Sequence, residues 1–171
     1  MFKTSSLVRT AVAAAALFAA GVAFAEGTFV PELGFAQTSG KNVVVGTQRT
    51  RDPAVVAAFG YEMDNGFGAR AMVIGDWDIQ TQILPGYRTF ENFVGVEATG
   101  KYALANTLNL RGGIGIGRSR LGGNGHELDG EGVLSLGLQW RPFSHFAMEV
   151  HVDRLTKTGT NAVGLLMQVP F

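Results

Sequence analysis

The stretch FGARAMVIGD, residues 67–76, decides the fold class because two kinds of side chain alternate along it. One parity is apolar, with Phe67, Ala69, Ala71 and Val73, whereas the other mixes glycine, arginine, methionine, isoleucine and aspartate. A period of two is the spacing of a β-strand, in which successive side chains point to opposite faces. The stretch therefore predicts a strand with one apolar face.

The segment before this stretch alternates in the same way, and a short polar turn separates the two. Val55, Ala57 and Phe59 share its apolar parity, and Asn65-Gly66 lies between the segments. An Asn-Gly pair between two alternating runs is a strong hairpin signal, because both residues tolerate the positive φ of a tight turn. The sequence therefore predicts two antiparallel strands joined by a hairpin turn.

The alternation returns along the rest of the chain. Six further segments alternate in this way, and the first apolar-face residue of each is Phe29, Phe90, Leu108, Leu134, Met148 or Val163. With the two segments above, the count is eight, and each is about as long as the roughly 9–11 residues that a tilted strand needs to cross a bilayer. An even number of strands places the N-terminus and the C-terminus of the chain on the same side of the membrane.

The face opposite the apolar one is unlike the water-facing side of a soluble sheet. It holds Gly, Ala, Ser and isolated charges, which suit a narrow barrel interior, while the apolar face suits lipid. Aromatic residues stand near segment ends, where membrane barrels have girdles: Phe67, Phe90, Tyr102, Trp140, Phe146 and Phe171. The sequence predicts an all-β, eight-stranded antiparallel up-and-down transmembrane β-barrel. The alternative, a soluble lipocalin-like barrel, would have to turn its apolar face inward.

Short and long connections alternate between the segments. The short ones are 64–66, 103–106 and 142–145, and the longer polar ones are 38–52, 77–88 and 119–130. Bacterial barrels have short periplasmic turns and long external loops, so the longer connections are expected outside the cell. The connection at 156–160 is short although it should also be external, which argues against a large extracellular region formed by the loops.

Residues 1–25 have the pattern of a secretory signal peptide. Two basic residues precede an apolar run that ends in Ala23-Phe24-Ala25, a small-residue cleavage pattern. The run is shorter than the roughly 20 residues of a membrane-spanning helix. We therefore expect cleavage before Glu26, and an exported barrel domain over residues 26–171.

Composition excludes several classes of function. The chain has no cysteine, which excludes disulfides, thiolate metal sites and the lipid-modified cysteine of a lipoprotein. Its formal net charge is zero and its basic residues are scattered, so nucleic acid is not an expected partner. No metal-ligand spacing or cofactor motif is visible, and we expect neither a metal nor a cofactor.

Several short patterns give the chain a family resemblance. They are FVGVE at 93–97, KYAL at 101–104, GGIGIG at 112–117, LGLQWRP at 136–142 and the terminal Phe171. In these patterns the chain resembles the small eight-stranded outer-membrane barrels that include the membrane domain of outer membrane protein A, outer membrane protein X and the opacity-type proteins. The resemblance implies a Gram-negative-type outer membrane as the location. It also implies that the barrel-insertion machinery recognises Phe171, although Pro170 before it is a departure.

Five charged residues share the inward parity at comparable heights. They are Glu32, Arg70, Glu97, Arg111 and Glu149. Charges in a narrow lumen must pair, because an unpaired buried ion costs several kcal/mol. We interpret the five as an ionic layer that fixes the barrel's shape, and the alternative is a gate that rearranges to pass ions. The static interpretation is favoured because side chains just fill the interior of an eight-stranded barrel.

Two arginines have the outward parity at the outer ends of their strands. Arg118 and Arg154 are placed to contact the phosphates of lipopolysaccharide, since guanidinium binds phosphate in bidentate fashion. The alternative is that they simply extend towards water from the membrane edge.

No catalytic residues are expected. A lipid A deacylase or acyltransferase needs a histidine with a serine nucleophile and an acidic residue. His126 and His145 fall in a loop and a turn, and His151 is an inward residue followed at i+2 by Asp153, not by serine. We interpret His151 as a lumen residue paired with Glu149 or with a carboxylate of a neighbouring strand.

The sequence therefore favours a non-enzymatic outer-membrane protein with a structural or surface-interaction role. Its expected partners are outer-membrane lipids and lipopolysaccharide, through contact or adhesion, and we expect a monomer. The first alternative is a narrow porin-like pore for small solutes or ions, and the second is a lipid A-modifying enzyme. Architecture alone does not decide between these functions.

Overall fold

Eight antiparallel strands dominate the computed structural model, which describes residues 27–45, 48–76, 90–121 and 126–171. They are β1 (Gly27–Val45), β2 (Gln48–Met63), β3 (Phe67–Asp76), β4 (Phe90–Ala105), β5 (Leu108–Leu121), β6 (His126–Phe143), β7 (Phe146–Leu155) and β8 (Thr160–Gln168). Each strand pairs with the next along the chain, and β8 pairs with β1 to close a barrel. The predicted fold class is confirmed.

Within the described residues, no helix is long and apolar enough to cross a membrane. The predicted signal peptide, residues 1–25, lies outside the described residues, as does the predicted loop at 77–88.

The hairpin predicted from Asn65-Gly66 is present between β2 and β3. Gly66 has a φ of 85° and donates its N–H to the Met63 carbonyl at 2.9 Å. The Asn65 side chain accepts the N–H of Phe67 at 3.0 Å. This turn, the turns at 106–107 and 144–145, and both Gly27 and Phe171 lie at one end of the barrel, here called the turn end; the opposite end is the loop end.

Two of the predicted external loops are largely strand. Pairing between β1 and β2 reaches Val45↔Gln48, so most of the connection expected at 38–52 belongs to a long hairpin. Pairing between β5 and β6 likewise reaches Leu121↔His126, which shortens the loop expected at 119–130. The loop prediction was wrong there because polar residues in a hairpin beyond the barrel wall still satisfy their backbone groups by cross-strand hydrogen bonds.

The outer wall of the barrel is apolar, as the alternation predicts. Leu33, Phe35, Ile114, Ile116 and Val150 are 56–65 % exposed, although they lie within paired strands. A contiguous apolar wall of this kind is typical of a surface that faces lipid.

One girdle residue was predicted with the wrong orientation. Phe90 is only 1 % exposed, because a register shift between Phe90 and Asn92 reverses the alternation at the start of β4. Such a β-bulge moves the preceding side chain to the other face. Tyr102, Trp140 and Phe171 do project outward, with 46–71 % of each residue exposed.

Candidate functional site

The five predicted lumen charges come together inside the barrel. Glu32, Arg70, Glu97, Arg111 and Glu149, here called the ionic layer, are each at most 4 % exposed. Every odd-numbered strand supplies one member, and β4 supplies Glu97. Alternation turns each of them inward, and the barrel's closure brings strands that are distant in sequence within reach of one another.

Arg70 binds carboxylates from three other strands. Its Nε and Nη2 lie 2.8 and 2.6 Å from Glu97 Oε2, and its Nη1 donates to Glu32 Oε2 at 3.2 Å. Asp153 Oδ1 lies 3.6 Å from Nη2. A buried guanidinium surrounded by carboxylates forms charge-assisted hydrogen bonds, which are shorter and stronger than neutral ones.

Arg111 completes the layer from the other side of Glu32. Its Nη1 donates to Glu32 Oε1 at 2.7 Å and to Glu149 Oε2 at 3.1 Å. Glu32 therefore joins both arginines, with one oxygen bound to each. These contacts connect β1, β3, β4, β5 and β7 through side chains alone.

Neutral side chains extend the ionic layer towards the turn end. Gln168 donates to Glu149 Oε2 at 2.8 Å and accepts from Gln139 at 2.6 Å, and Gln139 accepts from Asn109 at 2.9 Å. Ser135 donates to Glu97 on the opposite side. Alternation alone gives the orientation of these residues, but sequence reasoning did not identify them as part of the network, because polar uncharged residues are common on any strand face.

His151 lies against Asp153, a neighbour on its own strand. Its Nε2 is 3.2 Å from Asp153 Oδ2, and both residues are at most 1 % exposed. The predicted partner was Glu149 or a carboxylate of a neighbouring strand, so this part of the interpretation was wrong. Ser135 Oγ, the nearest serine in strand register, is bound to Glu97.

Glycines on the inward faces make room for these large side chains. A Cβ on Gly113 would lie 2.6 Å from Ser135 Oγ and would also collide with the Glu97 carboxylate. A Cβ on Gly137 would lie 2.7 Å from Glu149 Cδ. The abundance of glycine inside strands is thus explained by close packing in the lumen.

Above the ionic layer, the loop-end half of the lumen holds a cluster of buried apolar side chains, with buried polar ones such as Ser119 and Thr160 beside it. Its members, here called the apolar layer, are Ala36, Ala54, Val56, Met72, Ile74, Phe90, Phe93, Val133, Leu155, Ala162 and Leu166. Phe93 lies over Gly117, where a Cβ would be 2.7 Å from its ring. Sequence analysis did not predict this layer, because apolar residues of inward parity were interpreted as part of a mixed face.

The two predicted phosphate-binding arginines lie on the outside near the loop end. Arg154 is exposed, and its Nη1 donates to Asn161 Oδ1 at 2.8 Å and to the Gly159 carbonyl at 3.3 Å. Arg118 is half-buried and also contacts a neighbour. Nearby, Arg120 Nε is 2.8 Å from Glu91.

Phe171 closes the barrel at the turn end. It exchanges backbone hydrogen bonds with Phe29 at 3.0 and 3.1 Å, and the two rings stack with centroids 6.2 Å apart. Val169 adds a bond to the Pro31 carbonyl at 3.1 Å, so the β8–β1 pairing continues past Pro170. Recognition of Phe171 by the insertion machinery stays a prediction.

Within the described residues, no group of three or more His, Cys, Asp and Glu side chains is placed to hold a metal ion.

Comparison with solved structures identifies the fold. Neisserial surface protein A (NspA) has a TM-score of 0.58 at 12 % identity, over 85 % of this chain and 100 % of that chain. Ail, the attachment invasion locus protein of Yersinia pestis, has a TM-score of 0.56 at 16 % identity, over 85 % and 99 %. Ail in complex with the heparin analogue sucrose octasulfate gives 0.52 at 15 %, over 85 % and 99 %.

No family model and no curated protein matches the chain. The structural likeness nevertheless shows that the chain has the fold of the small eight-stranded outer-membrane β-barrels, which is the fold that the resemblance predicted.

Proposed function

We propose that this chain is a non-enzymatic outer-membrane barrel with a closed lumen, which acts through its loop-end surface on anionic partners, the phosphates of lipopolysaccharide first among them. The observation that carries the proposal is the separation of charge among the described side chains of the loop end, where most cationic side chains are exposed and most acidic ones are buried. The fold supports the location, since the chain resembles barrels of the outer membrane in structure.

The charge separation is clear in the described residues of the loop end. Arg51, Arg120, Arg154 and Lys157 are exposed, and Arg118 is half-buried. The acidic side chains Asp52, Glu131 and Asp153 are at most 8 % exposed, and the partly exposed Glu91 is bound to Arg120. Among the loop-end side chains that the structure describes, the exposed ones are therefore mainly cationic. A surface of one sign attracts ligands of the opposite charge.

The position of these cations favours a phosphorylated lipid in the outer leaflet. The energetic penalty for arginine on a lipid-facing strand falls towards zero at the membrane interface, where headgroup phosphates lie. Guanidinium binds phosphate in bidentate fashion. A second candidate partner is a sulfated glycan, which is anionic like the phosphates of lipopolysaccharide and would be bound in adhesion. The structure of Ail in complex with the heparin analogue sucrose octasulfate supports this candidate.

The filled lumen argues against a pore. The apolar layer and the ionic layer occupy successive heights of the interior, and most of their side chains are less than 5 % exposed. An ion would have to pass both layers, and the large apolar side chains of the second, such as Phe90 and Phe93, cannot replace its hydration.

The lipopolysaccharide proposal predicts that Arg118→Gln together with Arg154→Gln lowers retained lipopolysaccharide by at least about tenfold. Two charge-assisted bonds to phosphate are lost, and about 1.4 kcal/mol corresponds to each factor of ten. The measurement is lipid A content, by mass spectrometry, of barrels purified from outer membranes and washed at low salt. Arg141→Gln, at the turn end, is the matched control and should retain the wild-type amount. Equal retention by the double variant would overturn the proposal.

The non-enzymatic assignment predicts that expression of this protein leaves the acylation of a host's lipid A unchanged. His151 and Asp153 are enclosed in the lumen, and the Ser135 hydroxyl donates a hydrogen bond to Glu97. None of these side chains therefore reaches an acyl ester in the bilayer. Mass spectra of lipid A from cells with wild-type protein and with His151→Gln should coincide with those from cells without the protein. Loss or gain of an acyl chain that depends on His151 contradicts the assignment.

A further inference from the structure

The connection at 156–160, which is short for an external one, is a tight turn between β7 and β8 at the loop end. Gly159 in this turn has a φ of 66°. Thr156 and Lys157 are exposed, whereas the three residues from 158 to 160 are buried. One part of the turn therefore contacts water, and the rest is enclosed by the protein.

A buried carboxylate binds this turn from inside the barrel. Glu131 of β6 is fully buried, and its Oε1 accepts the backbone N–H of Lys157 at 2.6 Å. Its Oε2 accepts the N–H of Thr158 at 3.1 Å. The N–H of Thr156 donates to the Gly132 carbonyl at 2.9 Å. Three successive N–H groups of the turn are thus bound to β6, two of them by hydrogen bonds to a charged acceptor, which are stronger than neutral ones.

The positions of two exposed cations depend on this turn. Arg154 Nη1 donates to the Gly159 carbonyl at 3.3 Å, in addition to its bond with Asn161. Lys157 belongs to the turn, and its ammonium lies over β6, where Nζ would be 3.3 Å from a Cβ on Gly130. A change in the conformation of the turn would therefore displace both positive charges.

Cations that are held in place before binding favour association with an anion. Arginine and lysine side chains have several rotatable bonds, and ordering such a side chain or its loop on binding opposes association. A turn that is already fixed avoids part of this loss, so a group that fixes the turn also strengthens the binding of an anion.

From this arrangement we propose that Lys157 is a further phosphate-binding residue of the loop-end surface, and that Glu131 positions Lys157 and Arg154 through the turn. The inference rests on the proposed function, because it takes the phosphates of lipopolysaccharide as the ligand. Glu131 is enclosed and does not contact the ligand. It acts only through the two N–H groups that it accepts.

The test measures the binding of phosphorylated lipid A to the full-length mature barrel in detergent micelles. Native mass spectrometry of a titration gives the dissociation constants. Glu131→Ala is expected to weaken binding about fivefold, because the turn and its cations must then be ordered on binding, and Lys157→Gln by a similar factor. Ser119→Ala is the matched control, since Ser119 is also buried and its hydroxyl has no hydrogen-bond partner.

A second comparison separates positioning from a merely structural role. Glu131→Ala should change the dissociation constant by less than about twofold when Lys157→Gln and Arg154→Gln are already present, because neither cation of the turn is left to position. An equal effect of Glu131→Ala in the two backgrounds overturns the proposal. Wild-type binding by Glu131→Ala or by Lys157→Gln overturns it as well, as does equal weakening by the Ser119 control.

The inference and the proposed function fail in different ways. Wild-type binding by Arg118→Gln with Arg154→Gln overturns the proposed function and this inference with it. Weaker binding by that double variant, together with wild-type binding by Glu131→Ala, overturns this inference alone. If Glu131→Ala lacks the gel shift of a folded barrel, Glu131→Gln is measured with the same criteria, since its amide oxygen still accepts one N–H.

Discussion

Replacing Arg111 by alanine is expected to destabilise the barrel by about 3–5 kcal/mol, the typical effect of removing one partner from a buried ion pair. Arg111 Nη1 is the donor to both Glu32 Oε1 and Glu149 Oε2. In the variant, Glu149 keeps only its bond to Gln168, and Glu32 keeps only Arg70. The measurement is the free energy of unfolding in urea, followed by the gel shift between the folded and unfolded barrel.

Arg154→Ala is the control for this prediction. Its guanidinium is exposed and bonded to neutral groups, so its removal should change stability by no more than about 1 kcal/mol. Equal stability of the two variants would contradict the structural role of the ionic layer.

The sequence alone predicts that Arg111→Ala also raises conductance, because the ionic layer is then the only barrier in the lumen. The structure changes that expectation, since the apolar layer around Phe93 and Leu166 remains in place. Planar-bilayer recordings of the wild type and of Arg111→Ala should both show no steady current. A steady current through the wild-type barrel would favour the pore function.

Valine in place of Gly115 is expected to prevent stable folding, with a loss of at least about 3 kcal/mol. A Cβ at this position would collide with the Val96 carbonyl oxygen and would lie 2.8 Å from Glu97 Cα. These are backbone atoms of the paired strand β4, so no side-chain rotation relieves the contact. The fraction of barrel that resists unfolding on unheated gels, after refolding into detergent, measures the effect.

Gly112→Val tests whether position or residue type matters. Gly112 lies on the same strand but has the outward parity. A Cβ on Gly112 would lie 3.9 Å from its nearest neighbour, the Ser135 carbonyl oxygen, so a side chain fits there. This variant should fold as well as the wild type. If Gly112→Val and Gly115→Val fold equally well, the packing explanation for the inward glycines is wrong.

The sequence by itself determined the strands, their number and the orientation of most side chains. Alternation is a local property, so residues 67–76 and the Asn65-Gly66 turn were sufficient to predict a hairpin, and repetition of that pattern predicted the barrel. The same property assigned Glu32, Arg70 and Arg111 to the interior, because parity is counted from residue to residue within one strand.

Only the tertiary structure decided which inward residues meet. The contacts of Arg70 with Asp153, and of Arg111 with Glu32, join strands that are distant in sequence, and they depend on the stagger between strands when the barrel closes. The inward position of Phe90 depends on a bulge that reverses parity, which alternation cannot reveal. The apolar layer likewise follows from register, because its members lie on different strands and no local pattern in the sequence connects them.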